Sequence, residues 1–187
     1  MKKTTLALSL LLTQSSMAFA QEDTYMGIEY AVVNSDITFD DWDTGMIFAR
    51  FGAKLSPGLA AEAYIGLGVQ DDTTTTNCDS EKVSTDSIVG AQIKASADLE
   101  NVNLHANIGI NQIAATFEIS GTFACYGYNW TETYDDTEVG LAYGFGADFK
   151  ISDQSAITAN FNIFYDDTYA GADLTISALL IGYQQSF

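Results

Sequence analysis

Apolar and polar residues alternate along most of the chain from about residue 25 onward. Period-2 alternation between turn residues is typical of β-strands that have one apolar face. Seven such strands are predicted to begin near Tyr25, Met46, Leu59, Ile88, Val102, Glu138 and Ala156, and an eighth to cover Asp173–Phe187. No helical periodicity competes with this pattern, so the chain is predicted to be all-β.

The two faces of the predicted strands differ in chemistry. One face is apolar, and in the seventh strand it consists of Ile157, Ala159, Phe161, Ile163 and Tyr165. The other face carries charged and amide side chains with many glycines between them. Residues 178–181 of the eighth strand are apolar on both faces, which leaves a bulge or a blurred register open there.

Two folds can use such a pattern. A soluble barrel would bury the apolar face, whereas a membrane barrel would turn it toward lipid. The glycines favour the membrane barrel, because on a solvent face they would only weaken the strands, but in a narrow lumen they make room for long side chains. The charges also favour the membrane barrel, because the polar face carries nearly equal numbers of acidic and basic residues. Such a balanced set suits an interior, where an unpaired charge is costly. The predicted luminal ion-pair network consists of Glu29, Arg50, Lys54, Glu62, Lys94, Glu138, Asp148 and Lys150.

The connections between the strands alternate in length. Short ones are predicted at 56–58, 98–101 and 152–155, long ones at 34–45, 70–87 and 114–137, and an intermediate one at 166–172. Outer-membrane barrels have short turns at the periplasmic rim and longer loops outside, and a lysine or arginine facing the lipid midplane costs about 2–4 kcal/mol. The apolar face contains neither residue. The sequence therefore predicts an eight-stranded antiparallel transmembrane up-and-down β-barrel, with a soluble sandwich or lipocalin-like barrel as the alternative.

The N-terminus is predicted to be a secretory signal peptide. Residues 1–3 are a basic start, residues 6–12 are apolar but too short to span a membrane, and residues 18–20 form an A-x-A cleavage site. A membrane anchor is the alternative. We expect residues 1–20 to be removed on export and residues 21–187 to form the barrel domain.

Composition excludes several other classes of protein. Only 17% of the residues are charged, against about 25% in typical soluble domains, and 12% are aromatic, which is too many for a disordered chain. Seven basic residues stand against 25 acidic ones, and the formal charge of −18 argues against nucleic-acid binding. Loss of Lys2 and Lys3 with the signal peptide makes the mature chain more negative still.

The end of the chain resembles a known assembly signal. It reads Ile181-Gly182-Tyr183-Gln184-Gln185-Ser186-Phe187, a terminal Phe with aliphatic and aromatic residues at alternate positions before it. The mature chain as a whole, with its eight-strand pattern and this terminal signal, resembles the small outer-membrane barrels of the OmpA/OmpX and opacity-protein type. These barrels belong to a porin-like superfamily. That family usually has an aromatic residue where this chain has Gln185. The resemblance implies a monomer in the outer membrane of a Gram-negative bacterium, in contact with lipid and lipopolysaccharide, whose barrel assembly machinery recognises Tyr183 and Phe187.

The lumen of an eight-stranded barrel is wide enough only for side chains or one small ligand. The side chains predicted to fill it are Arg50, Glu62, Tyr64, Lys94, His105 and Phe164. We interpret the luminal charges as a structural network, with a narrow porin-like ion channel as the alternative. A lipid-modifying barrel enzyme is a second alternative, but the single histidine, His105, is predicted to lie in mid-strand and inward. No catalytic residue and no organic cofactor is therefore predicted.

The predicted outer loops are strongly acidic, and Lys82 is their one basic residue. Each contains an Asp-Asp pair, namely Asp40 and Asp41, Asp71 and Asp72, Asp135 and Asp136, and Asp166 and Asp167. Carboxylates are the ligands that Ca²⁺ and Mg²⁺ prefer, so these pairs are weak candidates for a cation site beside the lipopolysaccharide phosphates. A solvated acidic surface is the alternative, because no pair has EF-hand spacing.

Cys78 and Cys125 fall in the second and third long loops. Export permits a disulfide, whereas a metal site lacks partners because the chain has one histidine and no C-x-x-C. Loop aromatic residues lie nearby in the sequence: Phe123, Tyr126, Tyr128, Trp130 and Tyr134, with Trp42 in the first loop. They fit an adhesive patch, a small loop core or a membrane-interface belt. The sequence thus predicts a non-enzymatic protein with a structural, envelope-integrity or adhesion role, whose acidic, disulfide-stapled loops meet a host or surface ligand.

Overall fold

The computed structural model describes residues 24–37, 40–122, 125, 127–169 and 172–187. The predicted signal peptide lies outside these residues. The described chain forms nine strands: β1 (Thr24–Ile37), β2 (Asp40–Ser56), β3 (Leu59–Gln70), β4 (Asp72–Thr75), β5 (Asp79–Leu99), β6 (Val102–Gly121), β7 (Trp130–Lys150), β8 (Ser155–Tyr169) and β9 (Ala172–Ser186). Within this part of the chain, no helix is long and apolar enough to cross a membrane.

The strands form one closed antiparallel sheet. The sheet runs in the order β3-β2-β1-β9-β8-β7-β6-β5-β4, and a further ladder between β3 and β5 joins its ends. β4 is a short continuation of β3 that also pairs with β5, from Asp72↔Val83 to Thr75↔Ser80. With β3 and β4 counted as one, eight strands close the ring. The predicted eight-stranded up-and-down barrel is confirmed.

The predicted apolar face points outward. Met26 and Ile28 of β1 are 54% and 59% exposed, and Ile108 and Ile110 of β6 are 56% and 64% exposed. In water such a continuous belt would be a liability, but it is the surface that a barrel presents to lipid. The short turns at 57–58, 100–101 and 151–154 lie at one rim, which is therefore the periplasmic rim.

One residue of the predicted outer face lies inside. The ladder between β8 and β9 shifts register between Ile163 and Tyr165, and both Phe164 and Tyr165 are buried. The prediction that Tyr165 faces outward is wrong, because a bulge reverses the alternation of the residues beyond it. β9 itself pairs with β1 without a shift, so the irregularity lies in β8 and not at residues 178–181.

The interior has two layers. Charged and amide side chains occupy the half nearer the periplasmic rim, and apolar side chains fill the outer half. The apolar layer contains Ala31, Val33, Met46, Phe48, Tyr64, Ile88, Ile113, Ala142, Phe164, Tyr165, Leu174, Ile176, Ala178 and Leu180. This layer explains β9, where Leu180 is buried inside the barrel and Leu179 is exposed to lipid.

Many residues that were assigned to the three long loops form strands in the structure. β5 begins at Asp79, β6 continues to Gly121 and β7 begins at Trp130. The predicted loops at 34–45, 70–87 and 114–137 were therefore too long. The reason is physical: beyond the membrane both faces of these strands meet water, so the hydrophobic alternation disappears while the backbone still pairs.

Candidate functional site

A chain of ion pairs fills the periplasmic half of the lumen. The Arg50 guanidinium donates to Glu29 and to Glu62, with N–O distances of 2.8 Å to each. Lys94 Nζ lies 2.9 Å from Asp148 Oδ2 and 3.7 Å from Glu62 Oε1. All five side chains are at most 6% exposed. The charges are thus satisfied by one another rather than by water, as burial requires.

Neutral side chains complete this network. Tyr25 Oη donates to Glu62 Oε1 at 2.5 Å, and Gln92 Nε2 donates to Glu62 Oε2 at 2.5 Å. Asn160 Nδ2 donates to Glu29 Oε1 at 2.5 Å. Each carboxylate that accepts from Arg50 therefore has further donors, which offsets the cost of removing it from water.

The histidine of the chain belongs to the same network. His105 Nε2 lies 2.7 Å from Asn160 Oδ1, and His105 Nδ1 lies 3.5 Å from Asp148 Oδ2. The residue is 6% exposed. It is enclosed in the lumen, away from the rim and the lipid face where the second alternative, a lipid-modifying enzyme, would need it.

Three residues of the predicted network lie elsewhere. Lys54 is exposed near the periplasmic mouth and makes no ion pair with a described residue. Lys150 pairs with Asp98 at 2.7 Å, outside the buried cluster. Glu138 is half-buried and pairs across from Ile113 in the outer half. Strand alternation predicts whether a side chain points into the lumen or toward the lipid. The position of the residue along the barrel axis determines which other side chains it can contact.

An aromatic plug, formed by Phe48, Tyr64 and Phe164, closes the lumen above the network. The rings of Phe48 and Phe164 are stacked, with centroids 5.6 Å apart and planes 5° apart. Tyr64 lies 6.2 Å from Phe48 and 6.0 Å from Phe164. Gly66 makes this packing possible, because a Cβ there would stand 2.6 Å from the Phe48 ring. Phe48 was not among the predicted luminal residues, although its alternation with the outward Ile47 places it inside.

Below the network the lumen opens to the periplasm as a cavity of about 870 Å³. Its wall includes Lys54, Lys94, Asp148 and Lys150. Neither Arg50 nor any residue of the aromatic plug lines it. Within the described chain, the cavity is therefore a vestibule that ends at the ion-pair network.

Three strands carry the barrel wall far past the rest of the outer rim. β5, β6 and β7 have 21, 20 and 21 residues, whereas β1, β8 and β9 have 14, 15 and 15. At about 3.3 Å per residue, the difference amounts to roughly 20 Å along the strands. We call this projecting sheet the outer extension; it consists of β4 with residues 79–87, 114–121 and 130–137.

The two cysteines form a disulfide at the tip of the outer extension. Cys78 lies in the turn between β4 and β5, and Cys125 lies between β6 and β7, with Cα atoms 5.6 Å apart. The backbone N–H of Thr122 also donates to the Cys78 carbonyl at 2.9 Å. The bridge spans 47 residues of sequence and joins the outer ends of two neighbouring hairpins.

The Asp-Asp pairs do not converge on one point. Their carboxylates take separate partners: Asp71 pairs with Lys82, Asp72 accepts from the Asp43 backbone, Asp135 from Thr116, Asp136 from Thr137, Asp166 from Tyr143 and Asp167 from Thr168. Asp41 is exposed, and the side chain of Asp40 lies outside the described part of the chain. Among the described residues, no group of three or more His, Cys, Asp or Glu side chains is arranged to hold a metal ion.

The loop aromatics are divided between the surface and the interior. Tyr128, in the connection between β6 and β7, is 61% exposed, and Tyr134, on the outer extension, is 55% exposed. Trp42 is only 9% exposed, and its ring meets Phe117 edge-on at 6.3 Å. It therefore belongs to the interior of the barrel rather than to an exposed patch. Trp130 is half-buried, and Phe123 and Tyr126 lie outside the described residues.

The predicted assembly signal lies at the periplasmic end of β9. Tyr183 faces outward, 40% exposed, and its hydroxyl donates to Gln185 Oε1 at 2.6 Å. Phe187 is 51% exposed, and its backbone N–H donates to the Thr24 carbonyl at 3.0 Å. The aromatic side chains at the end of the chain are accessible beside the seam where β9 meets β1.

Comparison with known proteins gives a family. A family model described as an outer membrane protein β-barrel domain matches residues 4–187, and no curated protein sequence matches. Among solved structures, the chain resembles Neisserial surface protein A at 12% identity, over 88% of this chain and 97% of that one, with a TM-score of 0.62. It also resembles Ail, the attachment invasion locus protein of Yersinia pestis, at 13% identity, 88% and 99% coverage and a TM-score of 0.59. OprG of Pseudomonas aeruginosa is similar at 8% identity, 89% and 97% coverage and a TM-score of 0.55.

At these identities the solved structures show the fold alone, while the family match covers nearly the whole chain. The closed ring of eight strands and the lipid-facing apolar belt agree with both. The chain belongs to the outer membrane protein β-barrel domain family and is a protein of the Gram-negative outer membrane.

Proposed function

We propose that this barrel is a non-enzymatic surface-interaction protein that acts through its outer extension. The observation that carries the proposal is that β5, β6 and β7 run outward well past the other strands. Ordering these residues costs conformational entropy and adds nothing to anchorage in lipid. The gain therefore lies in what the extension contacts outside the cell.

The names of two similar proteins support a role at the surface. One is called a surface protein and the other an attachment invasion locus protein. Ail has also been solved with the heparin analogue sucrose octasulfate. The outer extension here carries many carboxylates and Lys82 as its one base, so a sulfated polyanion is disfavoured. We expect a partner with positive charge instead.

The interior supports a scaffold rather than a channel. The aromatic plug is stacked across the outer half, and Phe48 and Phe164 are each 1% exposed. Beneath it the buried side chains of the ion-pair network link β1, β2, β3, β5 and β7 across the lumen. Both layers stiffen the barrel that holds the outer extension in place.

The proposal is tested by trimming the outer extension. In the trimmed variant, residues 73–82 and 116–135 are each replaced by an Asn-Gly turn, which suits a two-residue hairpin because Asp72 and Val83, and Ala115 and Asp136, face each other in the ladders. Tyr64→Phe, which changes only the lumen, is the matched control. Bacterial cells displaying each form are measured for adhesion to cultured epithelial cells.

We expect the trimmed variant to lose most of the adhesion and Tyr64→Phe to retain it. A boiled-versus-unboiled gel checks that both still form closed barrels. Equal adhesion of a correctly folded trimmed variant and the full chain would overturn the proposal.

A further inference from the structure

Charge is distributed unevenly between the two ends of the barrel. The chain as a whole has 25 acidic and seven basic residues, and the outer extension is strongly acidic. Three lysines and three aspartates line the periplasmic vestibule, namely Lys54, Lys94, Lys150, Asp98, Asp148 and Asp153. The vestibule is therefore balanced in charge, so it can admit an anionic group that the outer extension would repel.

Lys54 gives the vestibule wall a cation that has no ion-pair partner among the described residues. It faces Ala60 in the ladder between β2 and β3, and Ala60 faces Lys94 in the ladder between β3 and β5. The two lysines therefore lie two strand spacings apart, about 10 Å between Cα atoms, with only the methyl group of Ala60 between them. A carboxylate in this gap would pair with Lys54, because Lys94 already pairs with Asp148.

The floor of the vestibule presents two buried oxygens that lack a donor. Asp148 Oδ2 accepts from Lys94 Nζ at 2.9 Å, but Asp148 Oδ1 has no hydrogen-bond partner in the described chain. Asn103 faces Asp148 in the ladder between β6 and β7, and its Oδ1 is also buried without a partner there. Buried acceptors are nearly always paired. Side chains directly opposite one another have Cβ atoms about 5 Å apart, so one ammonium group, which has three donors, can reach both oxygens.

The separation of these two features sets the size of the ligand. An extended peptide advances about 3.3–3.6 Å per residue, so the charged ends of two or three residues are about 7–10 Å apart. This length matches the gap between the floor and Lys54. The cavity of about 870 Å³ has the size of a small-molecule site. Ser56, Ser96 and Gln184 line its wall and offer hydrogen bonds to the peptide groups.

We infer that the periplasmic vestibule binds short zwitterionic peptides of two or three residues. The ammonium group lies at Asp148 Oδ1 and Asn103 Oδ1, and the carboxylate lies against Lys54. The inference goes beyond the proposed surface role, because it concerns the opposite end of the barrel and a soluble ligand of the periplasm. The ion-pair network closes the lumen above the site, so the peptide is bound and does not pass through the barrel.

The test uses the full mature chain in lipid nanodiscs, which leave the periplasmic mouth open to solvent. The probe is trialanine, and its dissociation constant is measured by saturation-transfer NMR at neutral pH and fixed salt. N-acetyl-trialanine lacks the ammonium group, and trialanine amide lacks the carboxylate. We expect trialanine to bind in the millimolar range or tighter. Each blocked peptide should bind about tenfold more weakly, which corresponds to about 1.4 kcal/mol.

Two protein variants connect each end of the peptide to its residue. Lys54→Met should weaken the binding of trialanine by about tenfold and leave that of trialanine amide unchanged, because the amide has no carboxylate to lose a partner. Asn103→Ala should weaken the binding of trialanine and leave that of N-acetyl-trialanine unchanged, by the same reasoning. Such coupling between a ligand group and a residue isolates their contact.

Lys82→Met is the matched control, because it removes a lysine from the outer extension, and it should leave the binding of all three peptides unchanged. Lys54 and Asn103 make none of the ion pairs of the luminal network, so both variants are expected to fold. A boiled-versus-unboiled gel checks that each forms a closed barrel.

A vestibule that holds only water would bind none of the three peptides, and that result would overturn the inference. Equal binding of trialanine and its two blocked forms would overturn it as well, since the charged ends would then contribute nothing. Equal weakening of trialanine and trialanine amide by Lys54→Met would overturn the placement of the carboxylate. These results are distinct from the adhesion experiment, because adhesion depends on the outer extension and peptide binding on the periplasmic vestibule.

Discussion

At the residue scale, Arg50 is the centre of the luminal network. Its planar guanidinium donates to Glu29 and Glu62 at once, a geometry that lysine does not reproduce. Strand alternation predicts that all three point inward, so this part of the site follows from the sequence. Their contact depends on the tilt and register of three strands, which the sequence pattern does not specify.

Replacing Arg50 by methionine leaves Glu29 and Glu62 buried without their shared cation. Removing one partner of a buried pair costs about 3–5 kcal/mol. We expect Arg50→Met to lower the free energy of unfolding in urea, measured from lipid vesicles, by that amount. Lys150→Met breaks the exposed pair with Asp98 and should cost about 1 kcal/mol or less. Losses of equal size in the two variants would contradict this account of the network.

The exposed ion pair of Asp71 and Lys82 predicts a lowered pKa for the Asp71 carboxyl. The hydrogen bond from Lys82 lowers the pKa of Asp71 below its unfolded value, which is about 3.9. A carboxyl whose pKa is lowered on folding stabilises the folded state at any pH above its unfolded-state pKa. This contribution is lost as the pH falls through the folded-state pKa. NMR titration should place the Asp71 carboxyl below about 3.9, and Lys82→Met should bring it back. An Asp71 pKa that does not respond to Lys82→Met would show that the pair does not form.

At the scale of elements, strand identity is more predictable than strand length. β1, β3 and β6 were located by alternation because one face meets lipid and the other meets the lumen. The outer halves of β5 and β7 were assigned to loops because their side chains meet water on both faces. Their pairing depends on neighbouring strands, so a local pattern cannot reveal it.

The disulfide acts on the outer extension and not on the membrane barrel. A bridge of this kind contributes about 2–4 kcal/mol, mainly by restricting the open state. In the double variant Cys78→Ser with Cys125→Ser, we expect amide hydrogen exchange to accelerate in residues 79–87 and 114–121. Exchange in residues 102–110 should be unchanged. Faster exchange throughout the barrel, or none in the extension, would contradict a local role.

At the scale of the whole molecule, polarity changes along the barrel axis. An open vestibule faces the periplasm, the ion-pair network and the aromatic plug follow, and the acidic extension lies outside. The outer surface is apolar only between the two rims. The periplasmic and outer ends of the molecule therefore contact water, and the apolar belt between them contacts lipid.

This layering predicts a barrel that does not conduct. In planar bilayers we expect no stable current from the purified protein, because the plug and the network fill the lumen. Truncating both stacked rings, Phe48→Ala with Phe164→Ala, should admit water to the outer half but still give no stable current, because the ion-pair network closes the lumen beneath them. Steady conductance of the unmodified protein would instead support the narrow-channel alternative.

Calcium provides a test of the acidic rim. Because the paired carboxylates take separate local partners, we expect millimolar calcium to leave the thermal midpoint unchanged at constant ionic strength. Magnesium should behave in the same way. A calcium-dependent rise would support the cation site that the Asp-Asp pairs indicated in the sequence.

The sequence by itself determined the eight-stranded barrel, its outward apolar face and the inward direction of the five charged residues that form the buried network. The reason is that lipid favours apolar side chains whereas the lumen accommodates polar and charged ones, and successive residues of a strand point alternately to these two sides. Only the tertiary structure decided which charges meet, since partners come from strands far apart in the chain. It also decided the bulge at Tyr165, the aromatic plug and the reach of the outer extension, because each depends on packing and pairing across strands rather than on local pattern.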